Sequence, residues 1–320
     1  MSSAKRIKKS FNENIVKDSW IPEFRPLEDS CVPVIVDIET TGLGNRARII
    51  QVAAKCGMKN FEVHILPKAN ITAQTSKVTG FTSSDGALFY RGQKVETFPS
   101  NVAARRFLDF LHELNSQILL VGHNIIRFDA PIICQWLNKH GLLKELCSLI
   151  FGMTDTLPLL RRDNIGKQEE LAAKYLIGPE WDDIREKAHN ATTDCILLQG
   201  LLEHFQINNN ILKKKSLSTK DFFQQRYMAK KQRKNMSLVS ELKPIVSRIM
   251  MRRMARHGLT IDKLKIEFLQ HGREKIEACL KARVNRKPTV TANKRVIQKI
   301  IEFIQKLIDS EKETCSKVEK

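Results

Sequence analysis

The sequence predicts an α/β domain followed by a basic helical module. Three observations carry that expectation. Between residues 31 and 206, short runs of apolar and β-branched residues alternate with segments whose apolar residues recur at helical spacing. Beyond a polar, Asn- and Lys-rich stretch, the remaining apolar residues again fall at helical spacing. The charge is divided the same way: residues 207–320 hold 29 Lys and Arg against 11 Asp and Glu, a net of +18 out of the chain's +19. Such a surface suits nucleic acid or an acidic membrane.

Residues 1–30 are polar, carry Pro22 and Pro26, and are expected as a flexible basic arm. "PVIVDIE" at 33–39 reads as a buried strand ended by a Thr-Gly-Leu-Gly turn. "RIIQVAAKCG" and "FEVHILP" supply two more strands, and three in succession suggest an antiparallel meander. Residues 67–100 read as loop. "NVAARRFLDFLHEL" has a helical period, "ILLVGHN" is a strand-length apolar run, and residues 130–146 return to helix with a break at Gly141. "LIFGMTDTLPLL" holds a further strand, "KQEELAAKYLIG" is a helix stopped at Gly178-Pro179, and "NATTDCILLQGLLEHF" is the last helix of the domain. Residues 207–236 read as a basic linker and residues 237–320 as the helical basic module. Within that module a helix ends at Gly258, Thr260 caps the next, and Val296, Ile297, Ile300, Ile304, Leu307 and Ile308 form one stripe of a third.

Several classes are set aside by what is absent. No apolar run nears the roughly 18 residues of a membrane helix. The basic start, "MSSAKRIKKS", is not followed by an apolar h-region, so no secretory signal is expected. The seven cysteines show no C-x-x-C and no zinc-like spacing, as befits reduced thiols of an intracellular protein.

Three segments place acids where acids are unexpected. Asp37 and Glu39 stand two apart on the first strand, so both carboxylates point to one face of a buried element. Two unpaired carboxylates side by side are costly, and a hard divalent cation between them removes the cost. Asp129 follows Phe128 between apolar stretches, and Asp194 heads an apolar helix five residues after His189. Taken singly, Asp194 reads equally as a dipole partner at a helix start, Asp129 as a turn residue before Ala-Pro, and His189 as an ordinary hydrogen-bonded histidine.

Taken together, "DIETTG", "HNIIRFD" and "HNATTD" resemble, in order and spacing, the three motifs of the DnaQ-like 3′→5′ exonucleases. That superfamily includes the proofreading subunits of bacterial polymerases, RNase T, oligoribonuclease and the TREX enzymes. The His-x-Ala-x-x-Asp form at 189–194 resembles the DEDDh branch, which uses a histidine base. The resemblance spans residues 31–206, with family-like pieces also in "KVTGFT" at 77–82 and "TDTLPL" at 154–159. It implies an RNase H-like exonuclease fold, a five-stranded mixed sheet flanked by helices. It also implies two Mg²⁺ or Mn²⁺ ions per active site. Asp37, Glu39 and Asp194 would bind them directly, Asp129 would act mainly through water, and His189 would deprotonate the attacking water. Thr192-Thr193 departs from relatives that carry an acid there, but neither residue is an implied ligand.

The same resemblance implies nucleic-acid contacts from the backbone of Thr40 and Thr41 and from Leu43 wedged against the terminal base, with His123 and Asn124 supporting the second motif. The expected partner is therefore a DNA or RNA 3′ end, with no membrane involved. The module at 237–320 is expected either to dock its apolar stripe on the exonuclease domain, offering Arg248, Arg252 and Arg256 to phosphates, or to bind a protein partner through its helices. "KKK" at 213–215 and "KKQRK" at 230–234 resemble a bipartite nuclear signal, which favours the nucleus over the cytoplasm. The competing expectation is a catalytically silent nucleic-acid-binding or scaffold protein that retains the fold.

Overall fold

A computed structural model describes residues 31–44, 47–284 and 287–318. The arm expected at 1–30 lies outside the described residues. Contacts divide the chain into two compact units, the first ending at Phe222 and the second starting at Phe223.

The first unit opens with the expected meander, β1 (Cys31–Thr40), β2 (Ile49–Cys56) and β3 (Lys59–His64). After α1 (Ala73–Thr79), the stretch read as loop forms a small antiparallel sheet of β4 (Phe81–Ser84), β5 (Ala87–Tyr90) and β6 (Gln93–Val95). Its two connections are two-residue turns, Asp85-Gly86 and Arg91-Gly92, all four residues at positive φ. Paired positive φ is the geometry whose twist matches flanking strands. Buried Phe81 and Leu88 fasten this sheet against Ile50.

Next come α2 (Ser100–His112), β7 (Gln117–Gly122), α3 (Asp129–Lys139), α4 (Leu143–Leu149), β8 (Ile150–Asp155), α5 (Leu157–Leu160), α6 (Gln168–Tyr175), α7 (Pro179–Arg185) and α8 (Ala191–His204). The large sheet is mixed and ordered β3-β2-β1-β7-β8 before a short sixth strand, with β7 parallel to both β1 and β8. Every residue of β7 is buried, as befits a central strand covered on both faces. Ile35, Ala53, Leu119 and Val121 cluster with Ala191, Cys195, Leu198 and Leu201 of α8. Asp37 and Glu39 share the strand face of Ile35, so the fold turns both acids toward α8.

Residues 207–236 are not a linker. They form α9 (Asn209–Lys214), the edge strand β9 (Leu217–Ser218) and α10 (Thr219–Met236), so the main sheet has six strands rather than five. Leu212 and Phe222 are buried, and Thr154 Oγ1 donates to the Leu212 carbonyl. Gly152 makes room for β9, since a Cβ there would lie 2.5 Å from the Leu217 oxygen. The polar composition that suggested a linker covers the outer surface of these elements.

The second unit continues with a 3₁₀ turn (Ser237–Leu242), α11 (Arg248–His257), α12 (Ile261–Lys281) and α13 (Lys294–Val318), with a two-residue ribbon, β10 (Arg283–Val284) and β11 (Lys287–Pro288). Ser247 caps α11, so this helix begins after Pro244 instead of spanning the whole apolar-periodic run. Gly258 ends it in the left-handed region, Thr260 caps α12, and Gly272 breaks α12 into two helical pieces. The stripe of α13 is buried with Val239, Leu242, Met254, Leu264 and Ile276 in a core internal to this unit. That is where the apolar stripe expected to dock on the first domain finds its partners. Among the described residues no helix is long and apolar enough to cross a membrane.

Candidate functional site

Three segments deliver the acids. β1 brings Asp37 and Glu39, the start of α3 brings Asp129 after parallel strand β7, and the first turn of α8 brings Asp194. Crevices beyond the carboxyl ends of parallel strands are the usual site position in such sheets. Asp37, Glu39 and Asp194 each offer an oxygen within 4.8 Å of the others. Asp129 is not part of that trio; it is almost fully buried, and its carboxyl accepts the Ile38 backbone N–H.

The electrostatics are those of crowded anions. Burial, then repulsion from Asp129, Asp194 and Glu39, raises the Asp37 carboxyl well above the usual range. Glu39 is pushed up to about 9 by burial and then by Asp194 and Asp129. Asp129 rises to about 7, chiefly through burial. Asp194 rises to about 6, again through burial, with the His189 imidazole and backbone pulling the other way. Without a cation the site holds protons it would shed in water. The donor set is oxygen only, which suits hard divalent ions such as Mg²⁺ or Mn²⁺, and the raised carboxyls fit that occupant.

His189 stands on the turn before α8 at φ 65°, with its side chain 42% exposed. Its Nε2 lies 2.5 Å from Glu169 Oε2, so the ring faces α6 and is not among the metal-ligand atoms. Asn190 caps α8, accepting from the Thr192 and Thr193 amides. Thr40 and Thr41 are buried: the Thr40 hydroxyl donates to the Gly42 carbonyl, and the Thr41 amide and carbonyl are engaged by Arg48 and Thr72. Leu43 projects from that turn, 88% exposed. His123 commits both ring nitrogens inside the domain, to Thr156 Oγ1 at 3.1 Å and the Gly166 carbonyl at 2.7 Å. Asn124, at φ 63°, donates its amide to Asp155 Oδ1.

Three supporting residues escaped the sequence reading. Glu169 holds the His189 ring. Gln51, fully buried on β2 opposite Glu39, accepts the Ala191 amide at 2.9 Å and so ties the start of α8 to the sheet. Asp155 fixes the turn around Asn124 by accepting that amide and the amide of Leu157. A polar residue inside the apolar run "IIQVAA" was the visible signal for Gln51; nothing in "KQEEL" singles out Glu169.

The chain is similar to several known proteins. Residues 238–307, in the second unit, match the model described as "PML, C-terminal domain". The maternal protein exuperantia of Drosophila virilis is 27% identical over 155 residues, which is 45% of this chain and 32% of that protein. The chain thus spans about a third of that relative's length. Two structures of Escherichia coli exonuclease I are also similar. The zinc-bound complex with single-stranded DNA has 12% identity and a TM-score of 0.44, covering 86% of this chain and 70% of that one. The complex with a dT13 oligonucleotide has 12% identity and a TM-score of 0.44, covering 87% and 72%. The model described as "Exonuclease" matches residues 34–202, just over half of the 320 residues and a span holding all four acids, and by that match the chain belongs to the exonuclease family.

Proposed function

We propose that the chain is a metal-dependent 3′→5′ exonuclease that releases nucleotides from nucleic-acid 3′ ends, with Asp37, Glu39 and Asp194 as direct metal ligands and His189 as general base. The observation that carries this reading is the convergence of Asp37, Glu39 and Asp194, from segments more than 150 residues apart in sequence, to within 4.8 Å. When bound, two divalent ions supply positive charge for the attacking and leaving oxygens of an in-line displacement. Asp129, whose buried carboxyl repels Asp37, would hold a metal mainly through water.

His189 takes the proton of the attacking water. With Nε2–H donated to Glu169, the free lone pair lies on Nδ1, and Glu169 stabilises the imidazolium that forms. Gln51 holds the first turn of α8, and with it Asp194, against the strand that carries Glu39. Leu43, exposed on its turn, would press on the terminal base, and the Thr40–Thr41 backbone would meet the terminal nucleotide. Asn124 completes the rim after β7, and His123 braces it. The basic runs at 213–215 and 230–234 fit import into the nucleus.

The test uses oligonucleotides labelled at the 5′ end, as DNA, RNA and mismatched duplex, with Mg²⁺ or Mn²⁺. A ladder shortening from the 3′ end is expected, absent in chelator and absent for Asp37→Ala. Binding without any shortening in either metal would mean a silent nucleic-acid-binding protein instead.

A further inference from the structure

The second unit contains a pocket of about 610 Å³ between α10 and α11, lined by five arginines and no acid. Arg233 comes from α10; Arg248, Arg252 and Arg256 stand one turn apart along α11. All four are exposed. Among the described residues none of them is ion-paired with a carboxylate. The fifth, Arg253, is tethered to the Val290 carbonyl at 3.1 Å, and Arg256 Nε donates to Gln232, which orients its guanidinium without neutralising it.

This arrangement works against the helix that carries it. Like charges at i and i+4 destabilise a helix, and α11 has two such pairs in succession. Arg248 also sits in the first turn, where the helix dipole disfavours a cation, and no acid is there to compensate. A ligand with repeated negative charges would relieve both conflicts at once.

We propose that this pocket binds the sugar-phosphate backbone of a single-stranded nucleic acid. Guanidinium forks match phosphate oxygens bidentately. One α-helical turn separates successive arginines, about 6 Å of rise for four residues, so the row suits evenly repeated single charges. The cavity is too large for one inorganic anion. Ile249, 63% exposed on the same helix, offers an apolar surface beside the charges for a sugar or base. The class of ligand rests on the nuclease reading above; the pocket itself requires no turnover.

The test is fluorescence anisotropy of labelled oligothymidylate with the full chain in chelator, across a series of KCl concentrations. The variant is Arg248→Gln/Arg252→Gln/Arg256→Gln. The control, Lys263→Gln/Lys275→Gln/Lys299→Gln, removes the same charge from exposed positions of the same unit. Each phosphate contact on a single strand contributes about 0.7 to the slope of log K against log salt, so the arginine variant should lose about 2 slope units and at least tenfold in affinity. The lysine control should lose much less. Equal losses in both variants overturn the proposal in favour of diffuse attraction. Displacement of the oligonucleotide by polyglutamate as well as by unlabelled oligonucleotide overturns it in favour of an acidic protein partner. Circular dichroism melts of both variants show whether the unit stays folded. Because binding is read without metal, a chain that never hydrolyses but binds through these arginines rejects the nuclease reading alone.

Discussion

Asp129→Asn should gain stability relative to the wild-type protein, both free of metal, as pH rises from 5 to 8. The Asp129 carboxyl is held at about 7 against an ordinary 3.8, so the folded chain keeps a proton that the unfolded chain gives up. Between those values the native state binds more protons, and stability falls as pH rises. The stability is fully present below about pH 4 and is lost as pH climbs through about 7. A shift of three units corresponds to roughly 4 kcal/mol at the upper limit. Of this, about 2.5 kcal/mol falls between pH 5 and pH 8. Protonation of Asp194, itself held at about 6, relieves part of the repulsion, which leaves about 2 kcal/mol. Asparagine removes this pH-dependent part. Its Oδ1 can still accept the Ile38 amide, but its NH₂ lacks a carboxylate's partners, a cost of about 1–3 kcal/mol that does not vary with pH. The readout is therefore the difference between the two pH values, not either alone. At 2–4 °C per kcal/mol for a domain of this size, the gap in Tm between variant and wild type should shift by about 4–8 °C in favour of the variant from pH 5 to pH 8. Thermal melts in chelator measure it. Millimolar Mg²⁺ at pH 8 should erase the shift, since a bound cation stabilises the ionised carboxyl. Parallel Tm-against-pH curves for the two proteins in chelator would refute the reasoning.

Two further outcomes follow from the site. His189→Ala should slow hydrolysis by about 10²–10⁴-fold, the usual contribution of a positioned base, while calorimetric metal affinity stays nearly unchanged; lost metal binding would make the ring a ligand. Gln51→Leu should cost about 1–3 kcal/mol in a denaturant melt, because the Ala191 amide and Glu62 each lose their bond to its side chain, and should lower kcat by loosening α8; an unchanged melt would remove Gln51 from the framework.

The site was legible because its acids break local rules. Asp37 and Glu39 interrupt a strand that is otherwise apolar, and the same two acids belong to the trio that could hold a metal ion. The second sheet was missed although its signals were present: "SSDGALFYRGQKV" holds Asp-Gly and Arg-Gly steps flanked by Phe81, Leu88 and Val95, a hairpin pattern. Residues 207–222 failed for a different reason. Their two anchors, Leu212 and Phe222, lie among Asn and Lys, and composition averaged over the stretch hides them. The stripe of α13 was read correctly as a helix face, but a periodic pattern names no partner. Only the packed unit shows that Val239, Leu242 and Met254 cover it. Glu169 belongs to a class that sequence cannot single out, one of two adjacent acids on a surface helix, chosen by where the turn at His189 happens to point.

The charge asymmetry takes on a physical meaning beside the acid site. A nucleic-acid end is a polyanion, yet the place proposed to cleave it gathers four carboxyls. Bound divalent ions offset that repulsion within a few ångströms. At 0.1 M salt, exposed charges are screened beyond about 10 Å, so the metals do little for a strand still approaching. Residues 1–206 carry a net charge of only +1, whereas residues 207–320 carry +18. On the proposed function, attraction at a distance comes from the second stretch, and chemistry at the end of the strand from the first. The two tasks impose opposite demands on one surface: a metal site needs crowded acids, and capture of phosphates needs crowded cations. Residues 223–320, the second unit, hold 25 Lys and Arg against 10 Asp and Glu, a net of +15, so the two demands fall largely on different units. Added salt should therefore act on the encounter, through KM, and leave the rate of the saturated protein nearly untouched.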